Sequence, residues 1–395
     1  MKPTRRRFLG TVAATGLALA ARGAEAVPRW KVAVIGHTGR GDYGHGVDTM
    51  WLNLPETELV AVADPDPKGL AAAQKRLKVT KGFADYRQML AATRLDIVAI
   101  GMRHVDQHRD VILAAAESGA KGIYMEKPFC RTPAEADEIV AACEKRQVKL
   151  AIAHRNRWHP VLPVIDQLVK ADAIGRVLEF RARGKEDARG GSLDLWVLGS
   201  HLLNLICYFG GSPQACSATV LQAGRPVTRA DVKDGAEGVG PLAGNEVHAR
   251  FEMERGMPAF FDSIANAGDR AAGFGLQLIG TKGIIDLRVD QNPVAQLMAG
   301  SPFRPVKEPR IWVPISSAGV GQPEPDADLP KRVMGHLVGG RDLLAAIREN
   351  RSPLCSAHDG RMIVEMIAAV FESHRLQGQR VAFPLTRRDN PLARL

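Results

Sequence analysis

The feature that most constrains this chain is an apolar, β-branched run that passes straight into a glycine-rich turn. Val32 to Ile35 has the length and branching of a buried strand, and it is followed at once by Gly36-His37-Thr38-Gly39-Arg40-Gly41-Asp42-Tyr43-Gly44. Glycines there let the backbone turn tightly and approach a pyrophosphate, with the next helix aiming its N-terminus at the charge. Thr38 stands where the middle glycine of G-x-G-x-x-G is usual. A second strand, Leu59 to Ala63, ends in Asp64, where a carboxylate would meet the ribose hydroxyls of an adenine dinucleotide. It would repel a 2′-phosphate, so NAD is preferred over NADP.

The alternation continues. Helical spacing from Pro67 to Leu77 and from Tyr86 to Ala91 precedes a strand at Asp96–Ile100. Helix Asp110–Glu117 leads to strand Gly122–Met125, and helix Pro133–Lys145 leads to strand Val148–Ala153. Strands alternating with helices imply a doubly wound parallel sheet of Rossmann type, with its ligand at the carboxyl ends of the strands. Those ends carry Asp64, Arg103 with His104, Glu126 with Lys127, and His154 with Arg155.

Beyond Trp158 the pattern changes to strands separated by glycine and proline: Leu178–Ala182, Val247–Glu252, Leu276–Ile279 and Ile284–Leu287. This reads as an open-faced, mostly antiparallel sheet with helices, α+β in class. Gly224–Gly244 and Pro302–Pro330 read as excursions, while helices at Arg332–Arg348 and Gly360–Leu376 return to the first domain. The expected organisation is a leader over 1–26, a nucleotide-binding domain over 27–157 and a substrate and oligomerisation domain over 158–395.

The leader has its own signature. Thr4-Arg5-Arg6-Arg7-Phe8-Leu9-Gly10, an apolar stretch to Ala21 and Ala24-Glu25-Ala26 make the three regions of a signal peptide. The consecutive arginines resemble a twin-arginine export signal, which predicts an exported, periplasmic or cell-envelope protein. Four of the ten excess positive charges fall within it, so the remainder does not argue for nucleic acid. No later segment reads as transmembrane. The five cysteines form no C-x-x-C pair, and Cys143 and Cys207 sit in apolar helical patterns that favour free thiols. Free thiols in an exported protein fit folding in a reducing cytoplasm before export.

Glu126-Lys127-Pro128 after a buried strand, downstream of the glycine turn and the acid-ended second strand, resembles the Gfo/Idh/MocA oxidoreductase family. Other segments are similar in order: His108, His154-Arg155-Asn156-Arg157, Ile174-Gly175-Arg176-Val177, Gly199-Ser200-His201-Leu202-Leu203-Asn204 and Gly280-Thr281-Lys282-Gly283. The resemblance implies NAD held by Gly36, Thr38, Gly39, Arg40, Gly41, Asp64, His104, His108, Glu126 and Lys127. It implies an open sheet that pairs in homo-oligomers, dimer or tetramer.

The implied chemistry is hydride transfer between a sugar alcohol carbon and nicotinamide, with a base for the hydroxyl proton and a cation beside the alkoxide. Lys127 is expected to be that cation or to tune the base, and His201 to be the acid/base. The family's aspartate one turn before this histidine is here Val197, so Asp194 is the candidate substitute. Arg155, Arg157, Trp196 and Asn204 are expected to line a sugar pocket, with Trp158 a further candidate. No ligand spacing points to a metal. Two rival readings stay open: redox-neutral glycoside cleavage through a transient keto-sugar, and a non-catalytic sugar-binding protein that retains NAD.

Overall fold

The computed structural model describes residues 29–269 and 274–395. The leader over 1–26 lies outside the described residues.

The first sheet is parallel, with six strands in the order β3-β2-β1-β4-β5-β6. These are β1 (Trp30–Ile35), β2 (Thr57–Ala63), β3 (Gly82–Phe83), β4 (Ile97–Ile100), β5 (Gly122–Met125) and β6 (Lys149–Ile152). Every residue of β4 and β5 is buried, because helices cover both faces and leave no solvent side for polar alternation. The helices start where their caps dictate. The Asp66 carboxylate accepts from the Gly69 amide at 2.6 Å at the head of α1 (Pro67–Leu77). Thr132 does the same for Glu135 at 3.2 Å before the Pro133–Arg146 helix, and proline opens both helices.

One expected element is missing. Between β1 and β2 the chain makes successive turns and a single 3-10 turn at Met50–Asn53 instead of a helix. Gly39, Gly41, Gly44 and Gly46 all have positive φ, and each glycine costs a helix about 1 kcal/mol relative to alanine. The glycines that permit a close turn thus prevent the helix that was to follow it.

The second sheet, 11-stranded among the described residues, has Val177–Arg183 at its centre. That strand pairs parallel with Pro258–Ile264 and antiparallel with Phe274–Gly280. Along Pro258–Ile264 the residues Ala259, Phe261 and Ser263 are buried while their neighbours are partly exposed, so one face meets the core and the other is open. Strands at Pro213–Gln222, Pro258–Ile264 and Ala295–Ala299 were not anticipated. Within the Pro302–Pro330 excursion, Trp312–Ser316 forms a strand that pairs with Ala295–Ala299.

The helix expected over Arg332–Arg348 breaks into Leu329–Met334 and Leu337–Glu349, because His336 adopts φ 62°. The second piece and the Ala357–Arg375 helix return to the parallel sheet. Gly122 of β5 faces Leu343 and Ile347, and Gly360 faces Ile152 and Phe129. The Ile152 amide donates to the Cys355 carbonyl at 3.0 Å. Among the described residues one helical stretch, Ser192–Gly210, is long and apolar enough to span a bilayer, and it is mostly buried within the protein. All five cysteines are free thiols.

Candidate active site

β5 delivers Glu126 and Lys127 to the carboxyl edge of the parallel sheet, both buried. The Glu126 carboxylate accepts from the Lys127 amide at 3.0 Å, the His45 amide at 2.9 Å and His45 Nδ1 at 2.7 Å. Burial alone would raise its pKa. The His45 hydrogen bond and the Lys127 charge outweigh burial and hold it well below the usual carboxylate range. Lys127 Nζ donates to the Val197 carbonyl at 2.7 Å. Burial lowers its pKa, opposed by Glu126 and Glu237.

Val197 belongs to a π-helical turn, Leu195–Gly199, set directly before the Ser200–Gly210 helix. Such wide turns are frequent at functional sites. Gly199 allows this one, since a Cβ there would lie 2.7 Å from the Phe261 ring. One turn on, His201 enters the same cavity, which measures about 250 Å³ and is also lined by His45, Arg103, Arg155, Glu237 and His336. His201 Nδ1 lies 3.4 Å from His154 Nδ1. Burial, then His154 and Lys127, push the His201 pKa well below the ordinary histidine value. Burial holds His154 down at about 3 and His336 at about 4. The cavity therefore sets neutral imidazoles beside a lysine.

A second cavity, about 220 Å³, lies at the ends of β1, β2 and β3 between Gly36–His37, Asp64–Pro65 and Ala84–Arg87. The glycine turn runs between the two cavities. Gly41 (φ +87°) packs so closely that a Cβ would fall 2.5 Å from the Arg103 amide, while Gly39 faces open space. The Arg40 guanidinium bonds Asp106 at 2.6 Å, joining this turn to the loop after β4. Two cavities flanking a glycine turn at the carboxyl ends of a parallel sheet fit an adenine dinucleotide, adenosine at β2 and nicotinamide at Lys127. The G-x-G-x-x-G spacing itself occurs at Gly39, Gly41 and Gly44, three residues later than the reading that began at Gly36.

Residues 30–154 match the model of the GFO/IDH/MocA oxidoreductases, described as an oxidoreductase family with an NAD-binding Rossmann fold. Over these residues the chain is similar to the NAD-binding domain of that family. Among curated relatives, D-apiose dehydrogenase of Paraburkholderia graminis is 29% identical over 216 residues, 52% of this chain and 56% of that protein. Levoglucosan dehydrogenase of Pseudarthrobacter phenanthrenivorans is 24% identical over 360 residues, 81% of this chain and 88% of that protein. A solved levoglucosan dehydrogenase with NADH and L-sorbose shares the fold, with TM-score 0.72, 20% identity and coverage of 91% of this chain and 100% of that one.

Several expected residues take other places. Asp64 does end β2, but it is fully buried. Its carboxylate accepts from the Thr38 amide at 3.2 Å, Thr38 Oγ1 at 2.7 Å and the Asp66 amide at 2.9 Å. It holds the glycine turn rather than offering free oxygens to a ribose. His108 is also fully buried, with Nδ1 2.7 Å from the Pro128 carbonyl and Nε2 2.8 Å from that of Met102. It fastens loops. His104 is half-buried beside Arg40.

Asp194, the candidate substitute, does not line the catalytic cavity. Its Oδ2 accepts from Ser263 Oγ at 2.6 Å and the Glu186 amide at 3.0 Å, beneath the antiparallel sheet. Arg155 reaches the catalytic cavity and pairs with Asp290 at 2.7 Å. Arg157 turns away to the Leu354 carbonyl at 2.9 Å and the Tyr208 ring. Trp196 is core, Trp158 stacks on Tyr124 and donates to Asp342, and Asn204 faces Cys355 Sγ at 3.5 Å.

Six ionisable residues of this cavity are not among those the sequence points to: His45, Lys185, Arg189, Glu237, Asp290 and His336. His45 directly follows the G-x-G-x-x-G spacing, a signal that was available. Glu237 comes from the 224–244 excursion, which folds back so that Gly238 abuts Asp106, and His336 arrives through the helix break. Neither has a local sequence signal.

Proposed function

We propose that this chain is an NAD-dependent oxidoreductase that moves a hydride between a sugar or polyol carbinol carbon and nicotinamide. The observation that carries this is the meeting of Lys127 and His201 in one buried cavity at the carboxyl edge of the Rossmann sheet. When bound, the nicotinamide supplies the hydride acceptor. The residues around it do the rest. His201, neutral in its buried setting, takes the hydroxyl proton as the C–H bond breaks. Lys127, whose Nζ donates to the Val197 carbonyl, offers positive charge to the developing alkoxide. Arg103 and Arg155 are placed to donate to further hydroxyls, and Glu126 holds Lys127 and His45 in place. The sugar dehydrogenase relatives support a carbohydrate substrate.

We further propose that the protein is exported and holds its cofactor tightly, since free nicotinamide nucleotide is scarce outside the cytoplasm. The Arg5-Arg6-Arg7-Phe8-Leu9 leader supports export, and the open sheet face supports a homo-oligomer. Val197 at the usual aspartate position favours a second reading, redox-neutral glycoside cleavage through a transient ketone. Protein purified without added nucleotide is expected to release NAD or NADH on denaturation. Mixing it with sugars should produce reduced-nicotinamide absorbance; cleavage products without net reduction would select the second reading, and silence with both would sink the enzymatic proposal.

A further inference from the structure

Resting on the sugar-oxidoreductase reading, we infer that the substrate is a glycoside with an apolar aglycone, received by a second cavity beside the catalytic one. That cavity measures about 530 Å³ and includes Asp290 and Met334 in its lining. The same two residues line the catalytic cavity of about 250 Å³, so the two spaces adjoin there. The border consists of a flexible thioether and an ion pair, Arg155–Asp290 at 2.7 Å. Such side chains can move aside without disturbing a strand.

The two spaces differ in chemistry. The catalytic cavity is charged, with Lys127, Arg103, Arg155 and Glu237 suited to hydroxyls. Its neighbour is walled mainly by Pro293, Val294, Pro314, Ile315, Leu329 and Val333, with the amides of Asn156, Gln291, Asn292 and Gln322 among its polar lining. Its carboxylates are already engaged. Glu324 accepts from the Ser317 amide at 3.0 Å and Ser317 Oγ at 2.7 Å, and Asp326 pairs with Arg332. A polar chamber leading to a larger apolar one matches an amphiphile, a sugar head with an apolar group on its glycosidic oxygen. A second sugar fits less well. Sugar rings pack their C–H faces on aromatic side chains, and among the described residues no tryptophan, tyrosine or phenylalanine lines this cavity.

The test is calorimetric titration of the full chain with NAD by methyl, butyl, hexyl and phenyl β-D-glucosides, by hexan-1-ol and phenol, and by cellobiose. Burial gives up to about fourfold in affinity per methylene, so hexyl glucoside should bind at least tenfold more tightly than methyl glucoside. Hexan-1-ol and phenol should bind without any sugar, which makes the result independent of the preferred sugar configuration. Val294→Trp, which fills the cavity, should abolish the alcohol binding and the chain-length gradient while leaving methyl glucoside affinity unchanged. Val333→Trp serves as a second filling variant if the first does not fold. A flat gradient with no alcohol binding overturns the inference, as does cellobiose binding as tightly as hexyl glucoside. Reduced-nicotinamide absorbance with methyl glycosides reports separately on hydride transfer, so failure there leaves the binding result readable.

Discussion

His154 and His201 face each other Nδ1 to Nδ1 at 3.4 Å, with their rings 89° apart. Only one of the two nitrogens can carry a proton in such a contact, so each ring dictates the other's tautomer. We propose that His154, a neutral partner held down at about 3 by burial, orients His201 through this contact. It is a positioning residue. In His154→Leu we expect kcat to fall about tenfold or more, with KM little changed. The acid limb of the pH–rate profile should move upward, because His154 helps to depress the His201 pKa. A purely structural residue would lower the amount of active enzyme without moving that limb, and this result would exclude the positioning role.

Lys127→Met keeps the volume and removes the charge. Single-turnover hydride transfer should drop by about a hundredfold or more, while the nucleotide released on denaturation stays equal to wild type. In the unaltered enzyme, activity should also decline on the alkaline side at a pH below the ordinary lysine value of 10.5, since burial lowers the Lys127 pKa. Full turnover in the variant removes this residue from the mechanism.

Asp194 offers the converse case. Its carboxylate ties Ser263 to the Glu186 amide, so Asp194→Ala leaves buried donors unpaired and should cost about 1–3 kcal/mol. Chemical denaturation would measure that loss. Both limbs of the pH–rate profile should stay in place, and a shifted limb would return Asp194 to the acid/base machinery.

Buried histidines make the fold acid-sensitive in a definite window. His154 titrates at about 3 and His159 and His336 at about 4 in the folded chain, against an ordinary value of 6.5. The unfolded chain therefore binds more protons below pH 6.5, and stability present above that pH is lost as pH falls toward the folded values. Each such group adds a slope of up to about 1.4 kcal/mol per pH unit. Melting temperature should fall between pH 6.5 and 5, above the range where most carboxylates titrate, and His336→Leu should flatten the slope.

Much of the framework was legible because its signals are local. β-Branched runs bounded by glycine and a period that alternates strand with helix placed β1, β2, β4, β5 and β6. The same regularity located Lys127 after β5, and the family likeness pointed to His201. The second sheet was read only in part, because strands such as Pro258–Ile264 and Ala295–Ala299 are short and half-buried, and flanking strands rather than intrinsic preference decide them.

By itself the sequence determined a Rossmann sheet with chemistry at its carboxyl edge, since covalent order and hydrophobic period suffice for that. Tertiary structure alone decided which polar groups are spent and which are free. Asp64, His108 and Asp194 are all chemically competent, yet folding ties Asp64 to Thr38 and Asp66, His108 to the Met102 and Pro128 carbonyls, and Asp194 to Ser263 and Glu186. Glu237 and His336 reach the site for the same reason, through a folded-back excursion and a broken helix. Burial and partner choice are non-local properties, and they set whether an imidazole or carboxylate does chemistry or holds a loop.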